Sequence, residues 1–275
     1  MRRIVLGLMM SMFLSVSYGQ LIDYKKETWA EVKKSKLYVV YEEGGTSAYD
    51  KALKEAVDLN WKFSQVEYVD YDQFEILQKD KHNFFLLSVD YTLSKTGRYD
   101  ENQSIVLIVR GFKRGAKKGD ISNFPKLAIL QTGNLDREPY LPLLIKYLDT
   151  NIDQVISGKV TSIMGNAKKV KSFKSKIKKK TLYLLESDLN DKIKTVADIK
   201  KDYVGEVSII SKAELTNKIK AGDDINVFFF TKSSTKSYVH IYNAATGEEY
   251  YNSFNLITKK WPAGIIPYHF KKWNK

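Results

Sequence analysis

The chain has 275 residues, no cysteine, and 45 basic against 32 acidic residues, which gives a net charge of +13. The lack of cysteine excludes disulfides and cysteine-bound metals. Hydrophobic residues make up 43% of the chain and aromatic residues 13%, so we expect a folded protein rather than a disordered one. The length suffices for one large or two small domains with real cores.

Residues 1–19 have the three parts of a secretory signal peptide. An arginine pair precedes an apolar core over residues 4–16, and Ser17 and Gly19 are small residues of the kind that a signal peptidase favours. The apolar core is shorter than the roughly 20 residues that span a bilayer, and no later stretch is apolar enough to do so. We therefore expect cleavage before Gln20.

Export sets the expected location. With no cysteine after the signal, the protein is not expected to be a lipoprotein, and it should be periplasmic or extracellular. A secreted eukaryotic protein of this size would usually use disulfides, so the envelope of a bacterium is the expected setting.

Residues 20–35 predict a lead-in helix, and residues 36–158 predict a first α/β repeat. Short runs of β-branched and aromatic residues predict its strands, and apolar residues spaced three or four apart predict its helices. The predicted strands are 36–43, 63–72, 83–93 and 104–112, with a further one at 126–131, and the predicted helices are 48–61, 73–78 and 139–156. The strands at 83–93 and 104–112 should form an antiparallel pair.

Residues 181–275 predict a second α/β repeat with the same order and an aromatic tail that packs back onto it. Its predicted strands are 181–187, 207–211, 225–233 and 237–244, and its first helix is 193–203. The second helix of each repeat should begin with a capping box, Asp70 with Gln73 and Ser211 with Glu214. The expected fold is therefore mixed α/β, with two tandem β-α-β-α-β-β repeats that each form a mixed sheet covered by helices.

A lysine-rich connector, residues 159–180, joins the repeats and is called the lysine segment below. It holds nine lysines and no acid, and outside it and the signal peptide the basic and acidic residues are nearly equal in number. On a helix, one side would carry Ile163, Ala167, Val170, Phe173 or Lys174, and Ile177, and the lysines would fill the other side. A hairpin turning at Gly165 is the alternative.

The lysine segment has two interpretations. It could be a solvated connector whose apolar side packs on a domain, or a patch that binds an anionic envelope polymer, lipid head groups or an acidic envelope protein. The residues proposed for an anionic partner are Lys168, Lys169, Lys171, Lys174, Lys176, Lys178, Lys179 and Lys180. Nucleic acid is disfavoured, because arginine and aromatic readers are not interleaved and the expected location is outside the cytoplasm.

No catalytic residue, metal site or cofactor is predicted. His82, His240 and His269 are far apart and lack metal-ligand spacing, and His240 should be a solvated or hydrogen-bonded strand histidine beside two tyrosines. The turn at 42–47 contains glycines but neither a dinucleotide-binding nor a phosphate-binding motif, and no nucleophile elbow is present.

These observations favour an exported, non-catalytic binding or adaptor protein of the bacterial envelope. One alternative is a carbohydrate-binding protein, because aromatic rings stack on sugars; the rings concerned are Tyr238, Tyr242, Tyr250, Tyr251 and Trp261. Another alternative is an envelope hydrolase in which a cleft would bring together Glu42, Glu43 and Asp90.

Overall fold

The computed structural model describes residues 20–41, 44–91, 103–112, 125–133, 135–191, 193–232, 236–259 and 264–274. The helices in these ranges are α1 (Lys26–Lys34), α2 (Ala48–Asn60), α3 (Tyr71–Leu77), α4 (Leu141–Ile156), α5 (Ile163–Phe173), α6 (Val196–Lys200), α7 (Lys212–Ala221) and α8 (Pro267–Asn274). None of these helices is long and apolar enough to cross a bilayer.

The strands in the same ranges form two sheets. The first half contributes β1 (Gln20–Leu21), β2 (Lys36–Val40), β3 (Gln65–Val69), β4 (Phe84–Tyr91), β5 (Gln103–Arg110) and β6 (Lys126–Gly133). The second half contributes β7 (Leu182–Leu185), β8 (Val207–Ile210), β9 (Asn226–Lys232), β10 (Lys236–Asn243) and β11 (Glu249–Leu256). The first sheet has the order β1-β6-β5-β4-β2-β3 and the second has the order β11-β10-β9-β7-β8.

Apart from the two-residue β1, the sheets have the same strand order and directions. In each, the first strand of the half lies between the second and third strands and is parallel to both. The fourth strand is antiparallel to the third, and the fifth is antiparallel to the fourth. The predicted mixed α/β class and the antiparallel pair β4–β5 are therefore confirmed, and the two halves are similar sheet-and-helix modules.

Each module is larger than the predicted β-α-β-α-β-β unit. A fifth strand and a terminal helix follow in both halves, β6 and α4 in the first and β11 and α8 in the second. The sequence predicted β6 and α4 but missed β11. Both predicted capping boxes are present at α3 and α7, where Asp70 and Ser211 accept the backbone N–H groups of Gln73 and Glu214.

The largest core lies between the two sheets and contains residues of both halves. Helix α4 is central to it, with Leu144, Tyr147 and Leu148 each about 1% exposed. Leu215 of α7 and Phe229 of β9 belong to the same cluster. The modules therefore share much of their buried surface instead of folding around two separate cores.

Two smaller clusters cover the outer faces of the sheets. The cluster on the first sheet includes Phe74 of α3 and Phe85 of β4. The cluster on the second sheet includes Ile199 of α6, and Phe270 and Trp273 of α8, and the last two side chains are fully buried. The described part of the aromatic tail thus packs onto the second sheet.

Polar contacts also join the halves around α4. Lys146 donates to the Ala244 carbonyl at 2.9 Å, and Thr150 donates to the Thr246 carbonyl at 2.8 Å. Gly247 in the same turn has φ +70°, and a Cβ there would lie 2.8 Å from the Lys146 backbone. A glycine is therefore required where this turn meets the helix.

Candidate functional site

The lysine segment is helical and packed against the second half. Helix α5 begins after Ser162, whose hydroxyl accepts the Gly165 N–H at 3.0 Å, and a 3₁₀ turn continues it over Lys174–Lys179. Val170 and Ile177 are buried, as the predicted apolar stripe required. The hairpin alternative does not form.

The buried side of α5 differs from the predicted stripe at one position. Ala167 is exposed, whereas Asn166 is only 3% exposed. The Asn166 side chain is hydrogen-bonded to the Tyr147 hydroxyl of α4, whereas its Oδ1 has no hydrogen-bond partner among the described residues.

Several lysines of the segment are held by contacts within the protein. Lys176 lies 3.7 Å from the centre of the Phe173 ring and 3.5 Å from the carboxylate of Glu248. Lys178 donates to the Asn274 carbonyl at 2.7 Å, and Lys180 forms an ion pair with Asp224. These contacts fix the backbone of the segment.

Lys169 is the most enclosed of these lysines. Its ammonium donates to the side-chain oxygens of Asn151 and Gln154 on α4. Burial lowers the pKa of this ammonium, and the negative charges of Glu248 and Glu249 partly oppose that effect. Lys169 therefore helps to dock α5 and is not available to an external partner.

Three other lysines face solvent. Lys168, Lys171 and Lys179 are exposed, and none of them forms an ion pair with an acid in the part of the chain that the structure describes. Met164, one turn before Lys168, is 69% exposed. The lysine segment thus presents positive charges to solvent while its opposite side packs against the second half.

A buried polar network lies under α5, where it meets the second sheet. His240 of β10 and Glu249 of β11 are 2% and 1% exposed, and the His240 Nδ1 lies 2.7 Å from a Glu249 carboxylate oxygen. The other oxygen of Glu249 accepts the Asn252 amide at 2.9 Å. A buried carboxylate needs such partners, because an unpaired charge there would be costly.

Tyrosine hydroxyls surround this pair. The Tyr242 hydroxyl is hydrogen-bonded to Glu249, and its ring packs at 5.2 Å from that of Tyr147 on α4. Burial raises the pKa of both tyrosines well above the usual value, and the charge of Glu249 raises it further. The buried Tyr24 hydroxyl has no hydrogen-bond partner among the described residues.

The chemistry open to this network is limited. The described contacts of His240 are the Glu249 carboxylate and the rings of Phe229 and Tyr242. Within the same part of the chain, no three His, Asp or Glu residues are grouped so that they could hold a metal ion. The contacts across α4, β10 and β11 instead join the two halves.

A surface groove of about 610 Å³ lies between the N-terminal segment and the start of α5. Its apolar lining comes from Ile22, Ile163 and Met164 together with the side chain of Tyr24, and Thr161 and Ser162 complete one wall. Lys25 and Lys126 also line the groove, as does Asp23. It is a shallow, mostly apolar depression next to the exposed lysines.

The tyrosines of the carbohydrate hypothesis are buried. Tyr238, Tyr242, Tyr250 and Tyr251 are between 1% and 8% exposed, so their ring faces are not available to stack on a sugar. Trp261 lies outside the described residues. Burial raises the pKa of Tyr250 to about 12, with a further contribution from Glu248.

The structure does not describe the side chains of the acids in the hydrolase hypothesis. Glu42 and Glu43 are not described, and neither is the side chain of Asp90. The histidines are dispersed, as the sequence suggested: His82 contacts Glu31 at the surface and His269 is buried in α8. The bond between His240 and Glu249 was not predicted from the sequence, because it depends on the pairing of β10 with β11.

The comparisons with known proteins assign no family. No protein-family model, curated protein or solved structure matches this chain significantly.

Proposed function

We propose that this chain is an exported, non-catalytic binding protein of the bacterial envelope that holds an anionic partner on its lysine segment. The observation that carries the proposal is that the side chains of the lysine segment fall into two groups, one packed into the fold and one exposed. Its apolar side and several of its lysines are engaged in the fold, whereas Lys168, Lys171 and Lys179 are exposed and unpaired with described acids.

A fixed cluster of charge binds better than a flexible one. Positive charges on a packed helix keep their spacing, so the lysine segment loses less conformational entropy when a partner binds. Because the remaining charges of the chain nearly cancel, the field near this surface attracts anions locally. Such contacts should weaken as the salt concentration rises.

The engaged lysines support binding rather than catalysis. Lys176 and Lys180 stabilise the segment through Glu248 and Asp224, and the His240–Glu249 pair beneath it is enclosed. Among the described residues, the site consists of exposed lysines beside a groove, and no nucleophile lies next to a base there.

The test is a binding measurement with polyglutamate, using residues 20–275 and fluorescence anisotropy at low and high salt. We expect the triple variant Lys168→Gln/Lys171→Gln/Lys179→Gln to bind about tenfold more weakly or worse and to lose most of the salt dependence. The matched control, Lys51→Gln/Lys79→Gln/Lys81→Gln, removes the same charge from exposed lysines elsewhere. Equal affinity of both triple variants would contradict the proposal.

A further inference from the structure

We infer that the anionic partner is the surface of a lipid bilayer, contacted by an outward stripe of α5 together with the rim of the groove beside it. This inference rests on the proposed function and narrows its partner class. The stripe consists of Met164, Lys168 and Lys171, and Ile22 contributes from the other side of the groove.

The stripe follows from helix geometry. Met164, Lys168 and Lys171 are spaced four and three residues apart, so they lie above one another on a single face of α5. All three are exposed, whereas Asn166 and Val170 on the opposite face are buried. The outward face therefore begins with an apolar side chain and continues with two cations.

The groove extends the apolar part of this surface. Ile22 is 44% exposed and Met164 is 69% exposed, and both line the groove with the more enclosed Ile163. The acid in the groove, Asp23, already accepts the Lys25 backbone N–H at 2.7 Å and the Thr28 hydroxyl at 3.0 Å. Its charge is thus partly satisfied within the chain.

The combination of apolar and basic groups favours a bilayer over a soluble polyanion. A polyanion in water would contact the lysines but would gain little from Ile22 and Met164. At a bilayer surface, apolar side chains enter the boundary between head groups and acyl chains while lysines meet the phosphates. Charge complementarity and the exposed apolar pair therefore point to the same occupant.

The experiment measures sedimentation of residues 20–275 with vesicles of phosphatidylcholine, alone or with about one third phosphatidylglycerol, in parallel with binding to polyglutamate. We expect wild type to bind the anionic vesicles only. The Ile22→Ser/Met164→Ser variant should lose about tenfold in vesicle binding and keep its polyglutamate affinity. The Lys168→Gln/Lys171→Gln variant should lose at least tenfold on vesicles and also weaken toward polyglutamate.

The control for the apolar pair is Ile76→Ser/Leu256→Ser, which removes two side chains that are 73% and 58% exposed elsewhere. It should bind anionic vesicles like wild type. If Ile22→Ser/Met164→Ser also binds like wild type, or if wild type binds polyglutamate but no vesicle, the bilayer inference is overturned while the proposed function stands. If wild type binds neither probe, both are overturned.

Discussion

The two halves of the molecule have the same strand order but helices of different lengths. The first crossover helix has 13 residues in the first half, α2, and five in the second, α6. The second helix has seven residues in the first half, α3, and ten in the second, α7. The terminal helix shortens from 16 residues in α4 to eight in α8.

The longer helix of each pair is the one that lies in the shared core. Helices α2, α4 and α7 contribute to the cluster between the sheets, whereas α3, α6 and α8 pack on outer faces. A helix between two sheets has apolar surface to cover on both sides, so additional turns bury additional area. Strand order is thus common to the halves, and helix length follows the surface to be covered.

The largest expected effect would test whether the halves are coupled. Trp273 on α8 is fully buried in a cluster that belongs to the second half alone. We expect Trp273→Ala to lower the free energy of unfolding by about 3–5 kcal/mol, because it leaves a cavity. Urea unfolding should still give coincident transitions by far-UV circular dichroism and tryptophan fluorescence, because the halves share a core.

Trp273→Phe is the control for that experiment and should cost clearly less, because it keeps an aromatic ring in place. Two separated transitions in Trp273→Ala, with the first half still folded after the earlier one, would show that the halves are independent.

The next effect concerns the polar network that joins the halves. Glu249→Ala removes the buried partner of His240 and should lower the free energy of unfolding by about 3–4 kcal/mol. Glu249→Gln keeps an oxygen near His240 and should cost less. Chemical denaturation at neutral pH measures both, and equal stability of Glu249→Ala and wild type would argue against a structural role for the pair.

A pH effect should distinguish the terminal helices, since α4 contains no histidine and α8 contains His269. Burial lowers the pKa of His269 to about 4, with a smaller contribution from Lys272. The His269 Nδ1 also accepts the Ile266 N–H at 3.3 Å, which favours the neutral ring. The unfolded chain, with a pKa near 6.5, binds this proton more readily than the folded chain does.

The contribution of His269 to the free energy of unfolding is therefore complete above about pH 6.5. It is lost as the pH falls toward 4, which lowers the free energy of unfolding by about 3 kcal/mol. His269→Asn keeps an acceptor for Ile266 and removes the titration. We expect the stability difference between this variant and wild type to change over that pH range in urea titrations. A constant difference would exclude His269 as the source.

The smallest effect compares the two capping boxes directly. Asp70→Ala and Ser211→Ala each remove a side chain that accepts a backbone N–H of the third helical residue. Each should lower the free energy of unfolding by about 1 kcal/mol, and the double variant should show the sum, because the sites belong to different clusters. A markedly larger cost at one site would show that the equivalent helices contribute unequally.

Local signals predicted much of this fold. Runs of β-branched and aromatic residues predicted β2, β4, β5, β9 and β10, and polar caps predicted the starts of α3 and α7. Strand β11 was missed because its sequence, EYYNSFNL, mixes polar and aromatic residues, and a bulge where β10 meets it interrupts the alternation.

The buried network could not be predicted for the same reason. His240 and Glu249 come together only when β10 pairs with β11, and no strand was predicted at residue 249. The buried position of Asn166 was also hidden, because a helix-period argument places apolar residues inside and cannot anticipate a bond to Tyr147. Contacts between elements, rather than propensities within them, define this region.

The short strand β1 has a consequence for the order in which the chain assembles. Gln20 and Leu21 pair with Ile129 and Ala128 of β6, and Leu21 is 2% exposed in the finished structure. These paired residues lie more than 100 positions apart in the sequence, so this edge of the sheet is a long-range contact. Because long-range contacts close large loops of chain, this pairing can form only after β6 is in place, and it then ties the first described residues to the middle of the chain.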